Sequence, residues 1–279
     1  MKFHFIKMTG AGNDFIMLDN LDLSLSESLT GELIAALCDR HFGIGGDGLI
    51  AAESDGGKLR MRYYNSDGGE AEMCGNGARC FARFVGSLLG NEESPFSFET
   101  RAGTIHARFE DNGRVTVGLT APENMKLNVL PASDAVPAPV HFINTGVPHA
   151  VAYLDRVSDV DVVRMGAFLR WHEMFAPAGT NANFAEILSP RHLKIRTYER
   201  GVEDETLACG TGMTAAALVH AALTGCDSPV SLDVAGGDTL DVGFEREGSS
   251  FRSVTLTGPA QVVFQGEVDL DRFRENRKA

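Results

Sequence analysis

Two spacings of apolar residues alternate along this chain. Short stretches rich in β-branched and aromatic residues, bounded by turn formers, predict strands at 59–65 (LRMRYYN), 96–103 (FSFETRAG), 114–122, 193–200, 230–236 and 253–264. Between them, apolar residues three and four apart predict amphipathic helices. Leu29, Leu33, Ile34 and Leu37 mark one such face, and Val163, Ala167, Trp171 and Met174 another. A third lies in RCFARFVGSLLG, where Phe81, Phe84, Val85 and Leu88 share a side and Gly90 is placed to stop the helix. The stretch MTAAALVHAALTG (213–225) is apolar nearly all round, which predicts a helix enclosed on every side.

The order of these elements occurs twice. FIKMTGAGNDFIML (5–18) and FINTGVPHAVAYL (142–154) are each an apolar run, Thr-Gly, a short polar loop and another apolar run. Thr9 and Thr145 are 136 positions apart, Cys74 and Cys209 are 135 apart, and Gly103 and Gly236 are 133 apart. An offset that drifts so little points to two homologous halves made by internal duplication. Many strands and one enclosed helix per half predict an α+β fold of two similar domains, each a curved, mainly antiparallel sheet around a central helix. The stretch 121–139, with prolines at 122, 131, 137 and 139, reads as the linker. The domains are then 1–122 and 123–261, and a cleft between halves is where a small ligand would bind.

Composition narrows the function classes. The 279 residues carry 25 Lys plus Arg against 38 Asp plus Glu, a net charge of -13. That balance argues against nucleic acid or an anionic membrane as partner. No apolar run approaches the length of a bilayer span, and no apolar core follows the N-terminal lysines as a secretory signal requires. Five cysteines without a regular framework suit a reducing cytoplasm.

Two of those cysteines stand in matched settings. Cys74 opens MCGNGARC and Cys209 opens ACGTGMTAAA, each directly before a Gly-x-Gly turn and a predicted helix. A helix N-terminus offers unpaired N–H groups and partial positive charge, which stabilise a thiolate and lower its pKa. The flanking glycines let the backbone approach and bind an anion such as a carboxylate. Two thiols on opposite faces of one carbon suit inversion of a stereocentre, one removing a proton while the other delivers one. The N–H groups would hold the charge that develops on an α-carboxylate, and a thiol can be tuned to give and take a proton near neutral pH. Thiols so placed could also oxidise to each other, giving a disulfide expected to be inactive.

Other uses of these cysteines fit less well. Cys74 and Cys80 are separated by five residues with no Cys-x-x-Cys or His pair, so a metal site is not expected. A redox dithiol stays open, although neither cysteine sits in a Cys-x-x-Cys motif. A cysteine hydrolase would leave the second device unexplained. Cys38, Cys80 and Cys226 read as plain buried residues. GIGGDG (43–48) satisfies a dinucleotide-binding spacing but follows a predicted helix and enters a strand, the reverse of that motif's order. No motif demands a cofactor.

With these motifs in place, the sequence resembles the diaminopimelate epimerase family over nearly its whole length. NSDGGEAEMCGNGAR (65–79) is the most specific element, with Gly69 where the family commonly has Ser. GAGNDF (10–15), PAGTNANF (177–184) and YERGVEDETLACGTG (198–212) fit the remaining motifs. The resemblance implies conversion of LL-2,6-diaminopimelate to the meso form without pyridoxal phosphate, in lysine and peptidoglycan precursor biosynthesis. It implies that Cys74 and Cys209 are the acid/base pair, and that Gly75, Asn76, Gly210 and Thr211 hold the reacting carboxylate. Asn13, Asn65, Asn181, Glu199 and Arg200 match substrate-contacting positions, while His149 and Glu199 match groups that tune the thiols. It also implies that a last strand, about 262–273, crosses back to the first domain. Val147 stands where many members have Asn, and Gly48 where some have Gln, which bears on the substrate more than on the reaction. A relative acting on another amino acid, such as proline or histidine, is the alternative within racemases. Oligomeric state is left open, a homodimer being one candidate.

Overall fold

The structure is a computed structural model and describes residues 2–90 and 95–270. The chain forms two compact units, one running to Val117 and resuming at Gly258, the other Gly118–Thr257.

The first unit begins with a hairpin of β1 (Lys2–Gly10) and β2 (Asn13–Asn20). Its turn residues Ala11 and Gly12 both have positive φ, 62° and 96°, as a two-residue turn matching the strand twist requires. Helix α1 (Gly31–Cys38) leads to β3 (Gly48–Asp55), β4 (Lys58–Asn65) and the short β5 (Glu70–Ala71). Thr30 caps α1, its hydroxyl accepting the Leu33 N–H, and Leu29 just before the cap joins Ile34 in one apolar cluster. Helix α2 (Gly75–Leu88) follows, then β6 (Phe96–Thr100), β7 (Gly103–Phe109) and β8 (Val115–Gly118). The second unit carries β9 (Glu123–Leu130), β10 (Val140–Asn144), β11 (Pro148–Tyr153), α3 (Val162–Arg170), β12 (Asn181–Ser189) and β13 (His192–Glu199). It continues through β14 (Asp204–Thr206), α4 (Gly210–Thr224), β15 (Val230–Asp233), β16 (Thr239–Glu247) and β17 (Ser250–Gly258). The last strand, β18 (Gln261–Asp269), returns to the first unit and pairs with β1. Positions 271–273 of the strand expected there lie outside the described residues.

Strand pairing repeats from one unit to the other. In the first, the order is β18-β1-β2-β3-β4-β6-β7-β8, with β2/β3 and β4/β6 parallel and the other neighbours antiparallel. In the second it is β9-β10-β11-β12-β13-β15-β16-β17, with β11/β12 and β13/β15 parallel. The duplication thus extends to topology. In the first unit β18 takes beside β1 the place that β9 takes beside β10 in the second. In each unit one helix packs against the second strand from either end of the sheet, α2 on β1 and β7, α4 on β10 and β16. Those strands stand five places apart, about 24 Å in a flat sheet, whereas a helix is about 10–12 Å across. The sheets therefore curve around their helices. Helix α4 is buried without interruption from Gly212 to Ala221, as its all-round apolar sequence requires.

Three expectations need correction. The apolar face expected at Val163, Ala167, Trp171 and Met174 is not the buried one. Val162, Met165, Gly166 and Leu169 face inward, α3 ends at Arg170, and Trp171 is 70% exposed beneath the Arg170 guanidinium, 4.0 Å from its ring centroid. Gly166 decides this, because a Cβ there would lie 2.2 Å from Tyr198 Cβ. A close approach of the helix to β13 is thus made by a residue with no side chain, invisible to apolar periodicity. Secondly, the stretch taken as linker contains β9, which pairs with β10. Asn124 and Asn128, at φ 54° and 55°, accompany register shifts in that pairing, so the usual strand alternation is lost. Thirdly, Cys226 is half-buried just beyond the α4 C-cap glycine, whereas Cys38 and Cys80 are buried. Burial pushes the thiols of Cys38 and Cys80 each up to about 12.

Candidate active site

Both Gly-flanked cysteines are helix N-caps. Cys74 has extended backbone angles (φ -136°, ψ 123°), and its Sγ accepts the Gly77 N–H at 3.5 Å. Gly75 and Asn76 are then the first residues of α2. A Cβ on Gly10 would meet the Asn76 carbonyl at 2.8 Å and Cys80 Sγ at 3.0 Å. The missing side chain is what lets the end of β1 approach the first turn of α2. Asn13, opening β2, accepts the Asn76 side-chain amide through Oδ1 at 2.7 Å and donates through Nδ2 to Asp47 Oδ2 at 2.9 Å. Arg79, fully buried, donates to Asn76 Oδ1 at 2.9 Å and to the carbonyls of Gly10, Gly75 and Pro259.

Behind Asn13 stands a cluster of charges. Arg40 grips both carboxylate oxygens of Asp14, at 2.6 and 3.0 Å, and reaches Asp47 at 2.7 Å. Lys7 pairs with Asp14 at 2.8 Å and donates to the Gly45 carbonyl. Burial alone would raise the Asp14 pKa, but hydrogen bonds and charge from Arg40 and Lys7 prevail and hold it near about 2. Gly43, Gly45 and Gly46 of GIGGDG lie between α1 and β3 and Gly48 opens β3, so the dinucleotide order is indeed reversed. Asn65 is placed differently from Asn13. It ends β4 opposite Gly48, with its backbone in the turn to Gly69 and its side chain exposed. Gly48 has no room for a side chain, since a Cβ would meet the Tyr64 carbonyl at 2.4 Å.

In the second unit Cys209 caps α4 with extended angles (φ -118°, ψ 108°), and its Sγ lies 3.5 Å from Thr211 Oγ1. Gly210 and Thr211 begin the helix, and Thr145 donates its hydroxyl to the Thr211 carbonyl at 2.9 Å. Beside them, β11 and β12 run parallel with His149 opposite Asn181. Asn181 donates to the Pro148 carbonyl and accepts the Arg200 backbone N–H at 2.8 Å, and the Arg200 guanidinium donates to the Ala178 carbonyl. Glu199, ending β13, accepts the Thr206 hydroxyl at 3.0 Å.

His149 is completely buried, and burial, helped by the nearby Arg200 charge, drives its pKa down to about 3. Asn183 Nδ2 donates to its Nδ1 at 3.1 Å, so the proton of the neutral ring is on Nε2. Asn183 also donates to the Ala150 carbonyl and accepts the Thr197 hydroxyl. A Cβ on Gly212 would lie 2.3 Å from Asn183 Oδ1, so the start of α4 rests directly on this amide.

Within the first unit the structure joins Asn13, Asn76 and the Cys74 cap, and leaves the Asn65 side chain apart. Within the second it joins Asn181, Arg200 and His149 by bond, register and field, with Cys209, Gly210 and Thr211 at the neighbouring helix start. Sequence reasoning passed over Asp47, Arg79, Thr145 and Asn183. Only Asn183 left a signal, standing two residues after Asn181 and so on the same strand face. Among the described residues, no three or more His, Cys, Asp or Glu side chains gather as they would to hold a metal ion. None of the described helices is long and apolar enough to cross a membrane.

Comparison with known proteins first gives the architectural class. A phenazine biosynthesis protein of the PhzF family from Bacillus anthracis superposes with a TM-score of 0.71 at 15% identity, covering 96% of this chain and 99% of that one. A hydroxyproline epimerase from Agrobacterium vitis, solved with bound trans-4-hydroxy-L-proline, gives a TM-score of 0.69 at 14% identity over 96% and 91% of the two chains. The duplicated α+β fold is thus shared with the PhzF and proline racemase-like proteins. Sequence gives the family. The model of the diaminopimelate epimerase family matches residues 5–125 and 141–263. The diaminopimelate epimerase of Flavobacterium psychrophilum is 41% identical over 93% of this chain and 97% of its own length. The chain belongs to the diaminopimelate epimerase family, and with it to the isomerases that invert amino-acid stereocentres.

Proposed function

We propose that this enzyme interconverts LL-2,6-diaminopimelate and meso-diaminopimelate, with Cys74 and Cys209 as its acid/base pair. The observation that carries the reading is the repeated device itself: in both units a cysteine is the N-cap of the buried central helix, followed by a Gly-x-Gly first turn. One cysteine, as thiolate, takes the α-proton. The bonding pair left on carbon is delocalised into the α-carboxylate, and the other cysteine, as thiol, supplies a proton to the opposite face. The first then ends as thiol and the second as thiolate, so the reverse reaction starts with roles exchanged.

The N–H groups of Gly75, Asn76, Gly210 and Thr211 are at the positive ends of their helices, where developing carboxylate charge is stabilised. Arg200 suits the carboxylate of the distal amino-acid head, and Asn13, Asn65 and Asn181 supply amide donors and acceptors to the substrate. Glu199 suits a substrate ammonium or acts on the thiols, and His149, buried and neutral, acts on its surroundings as an uncharged ring rather than a cation. The scheme needs no pyridoxal phosphate, metal or nucleotide. A cytoplasmic enzyme serving lysine and peptidoglycan precursor synthesis is part of the proposal, supported by the need of the scheme for reduced thiols. A homodimer is part of the proposal, supported by Val262, Val263 and Phe264, about half exposed in a row on β18.

Incubation of the reduced enzyme with LL-diaminopimelate, followed by chiral analysis, tests the activity, and Cys74→Ala and Cys209→Ala should each abolish it. Inversion of proline or histidine in place of diaminopimelate would transfer the assignment to another racemase, and persistence of inversion in either variant would remove the two-thiol scheme.

A further inference from the structure

Asp47, Asn13, Asn76 and Arg79 form one directional chain of hydrogen bonds. Asp47 Oδ2 accepts from Asn13 Nδ2 at 2.9 Å, Asn13 Oδ1 accepts from Asn76 Nδ2 at 2.7 Å, and Asn76 Oδ1 accepts from Arg79 Nη2 at 2.9 Å. A carboxamide can be turned about its axis, exchanging donor for acceptor, and two adjoining carboxamides can turn together. Here they cannot. A carboxylate only accepts and a guanidinium only donates, so the two charged ends permit one direction for both amides. Reversal would set Asn13 Oδ1 against Asp47 and the Asn76 amide nitrogen against Arg79, breaking a charge-assisted bond at each end.

Both ends are themselves held. Asp47 accepts Arg40 at 2.7 Å and the Asp14 backbone N–H at 3.2 Å, while its own N–H is bound to Asp14. Arg79 is fully buried under three carbonyls. In this arrangement each carboxamide has spent one N–H and one side of its oxygen within the chain, leaving one N–H on Asn13 and one on Asn76 beside the first turn of α2.

We propose that Asp47 is a positioning residue, acting with Arg79 to fix the direction of the Asn13 and Asn76 carboxamides so that both present an N–H to a substrate carboxylate. Asp47 does this without touching substrate. The proposal rests on the assignment of Asn13 and Asn76 to the substrate site, and it extends that assignment by naming what orients them. It also gives the Arg40–Asp14–Lys7 cluster a purpose, since these charges hold the carboxylate end of the chain.

Two measurements on the full-length enzyme test it. The first does not depend on activity: side-chain amide spectra of asparagine-labelled protein. In the unsubstituted chain Asn13 and Asn76 should each show two well-separated N–H signals, one of them slow to exchange with solvent. Asp47→Asn should shift the signals of Asn76 as well as those of Asn13, although Asn76 lies one link further away. Solvent exchange at both N–H groups of Asn13 and Asn76 as fast as at the exposed Asn128 of the unsubstituted chain would overturn the proposal whether or not the variant folds. So would an Asn76 signal unmoved by Asp47→Asn.

The second measurement is kinetic. Loss of a charge-assisted bond should lower kcat/KM about ten- to a hundredfold in Asp47→Asn, mainly through a higher KM. The double variant Asp47→Asn/Asn13→Ala should be no worse than Asn13→Ala alone, because Asp47 acts through Asn13. Multiplied penalties would overturn the proposal. An unsubstituted enzyme that inverts no substrate would instead sink the functional reading, leaving the spectra to decide the positioning.

Discussion

Gly77 and Gly212 occupy the same place in the two repeats, the third residue of the central helix, yet replacing each with alanine should have different consequences. In an open helix the change would stabilise by about 1 kcal/mol, through the lower helix propensity of glycine. At Gly77 the new Cβ would meet Ile50 Cδ1 at 2.9 Å and Met61 Cε at 3.3 Å, both the far ends of flexible side chains. Overpacking of that kind costs about 1 kcal/mol, so the net effect should stay within about 0.5 kcal/mol of zero. At Gly212 the new Cβ would lie 2.3 Å from Asn183 Oδ1. That amide is completely buried and bound to Thr197, His149 and the Ala150 carbonyl at 2.9 to 3.1 Å.

Asn183 cannot step aside without stretching those bonds, each worth about 0.5–1.5 kcal/mol, and the overpacking itself costs about 1–3 kcal/mol. Offset by the helix-propensity gain, Gly212→Ala should destabilise by about 2 kcal/mol, or lower Tm by roughly 4–8 °C for a chain of this size. Urea titration of the two variants beside the unsubstituted chain reads the difference directly as a shift in midpoint. Equal midpoints for the two variants, or a Gly212→Ala protein as stable as the parent, would refute the reasoning that Asn183 supports the start of α4.

Further outcomes follow from the ionisable groups. His149 has its folded pKa pushed down to about 3 by burial and the Arg200 charge, below the ordinary value of 6.5. The unfolded chain therefore binds a proton that the folded chain refuses, and stability should fall between pH 6.5 and 3 by up to about 1.4 kcal/mol per pH unit. His149→Asn should flatten that slope in denaturation series. Asp14 is held near about 2, below its usual 3.8, so its contribution is present above pH 4 and lost as pH falls through 2. Asp14→Asn should remove that last acid limb while lowering stability at neutral pH. Cys38 and Cys80, pushed up to about 12, should resist alkylation by iodoacetamide at pH 8 until the chain is unfolded, as read by mass spectrometry.

The duplication was the most legible feature of the sequence, because turn glycines and helix-start cysteines are local and keep their spacing. The returning strand was not derivable from local pattern. Its place appears only in the pairing, where β18 lies beside β1 as β9 lies beside β10. The face of α3 was misread because Gly166, where the helix approaches β13 closely, carries no side chain and so leaves no trace in an apolar count. The strand inside 123–130 was hidden by Asn124 and Asn128, whose left-handed backbone interrupts period-two alternation. The partners of Asn183 and Asp47 were hidden for a different reason. A polar residue in a strand or a glycine-rich loop looks solvated until distant partners, such as His149 for Asn183 and Asn13 for Asp47, are brought to it.

The central claim is that two thiols serve two faces of one carbon, and isotope partition during early turnover in D2O tests it most directly. With LL-diaminopimelate and reduced enzyme, the account predicts that the first meso product carries one solvent deuterium at the inverted carbon while recovered substrate carries almost none. Deuterium entering the unreacted substrate as fast as the product would mean that one group both removes and returns the proton, and would contradict it.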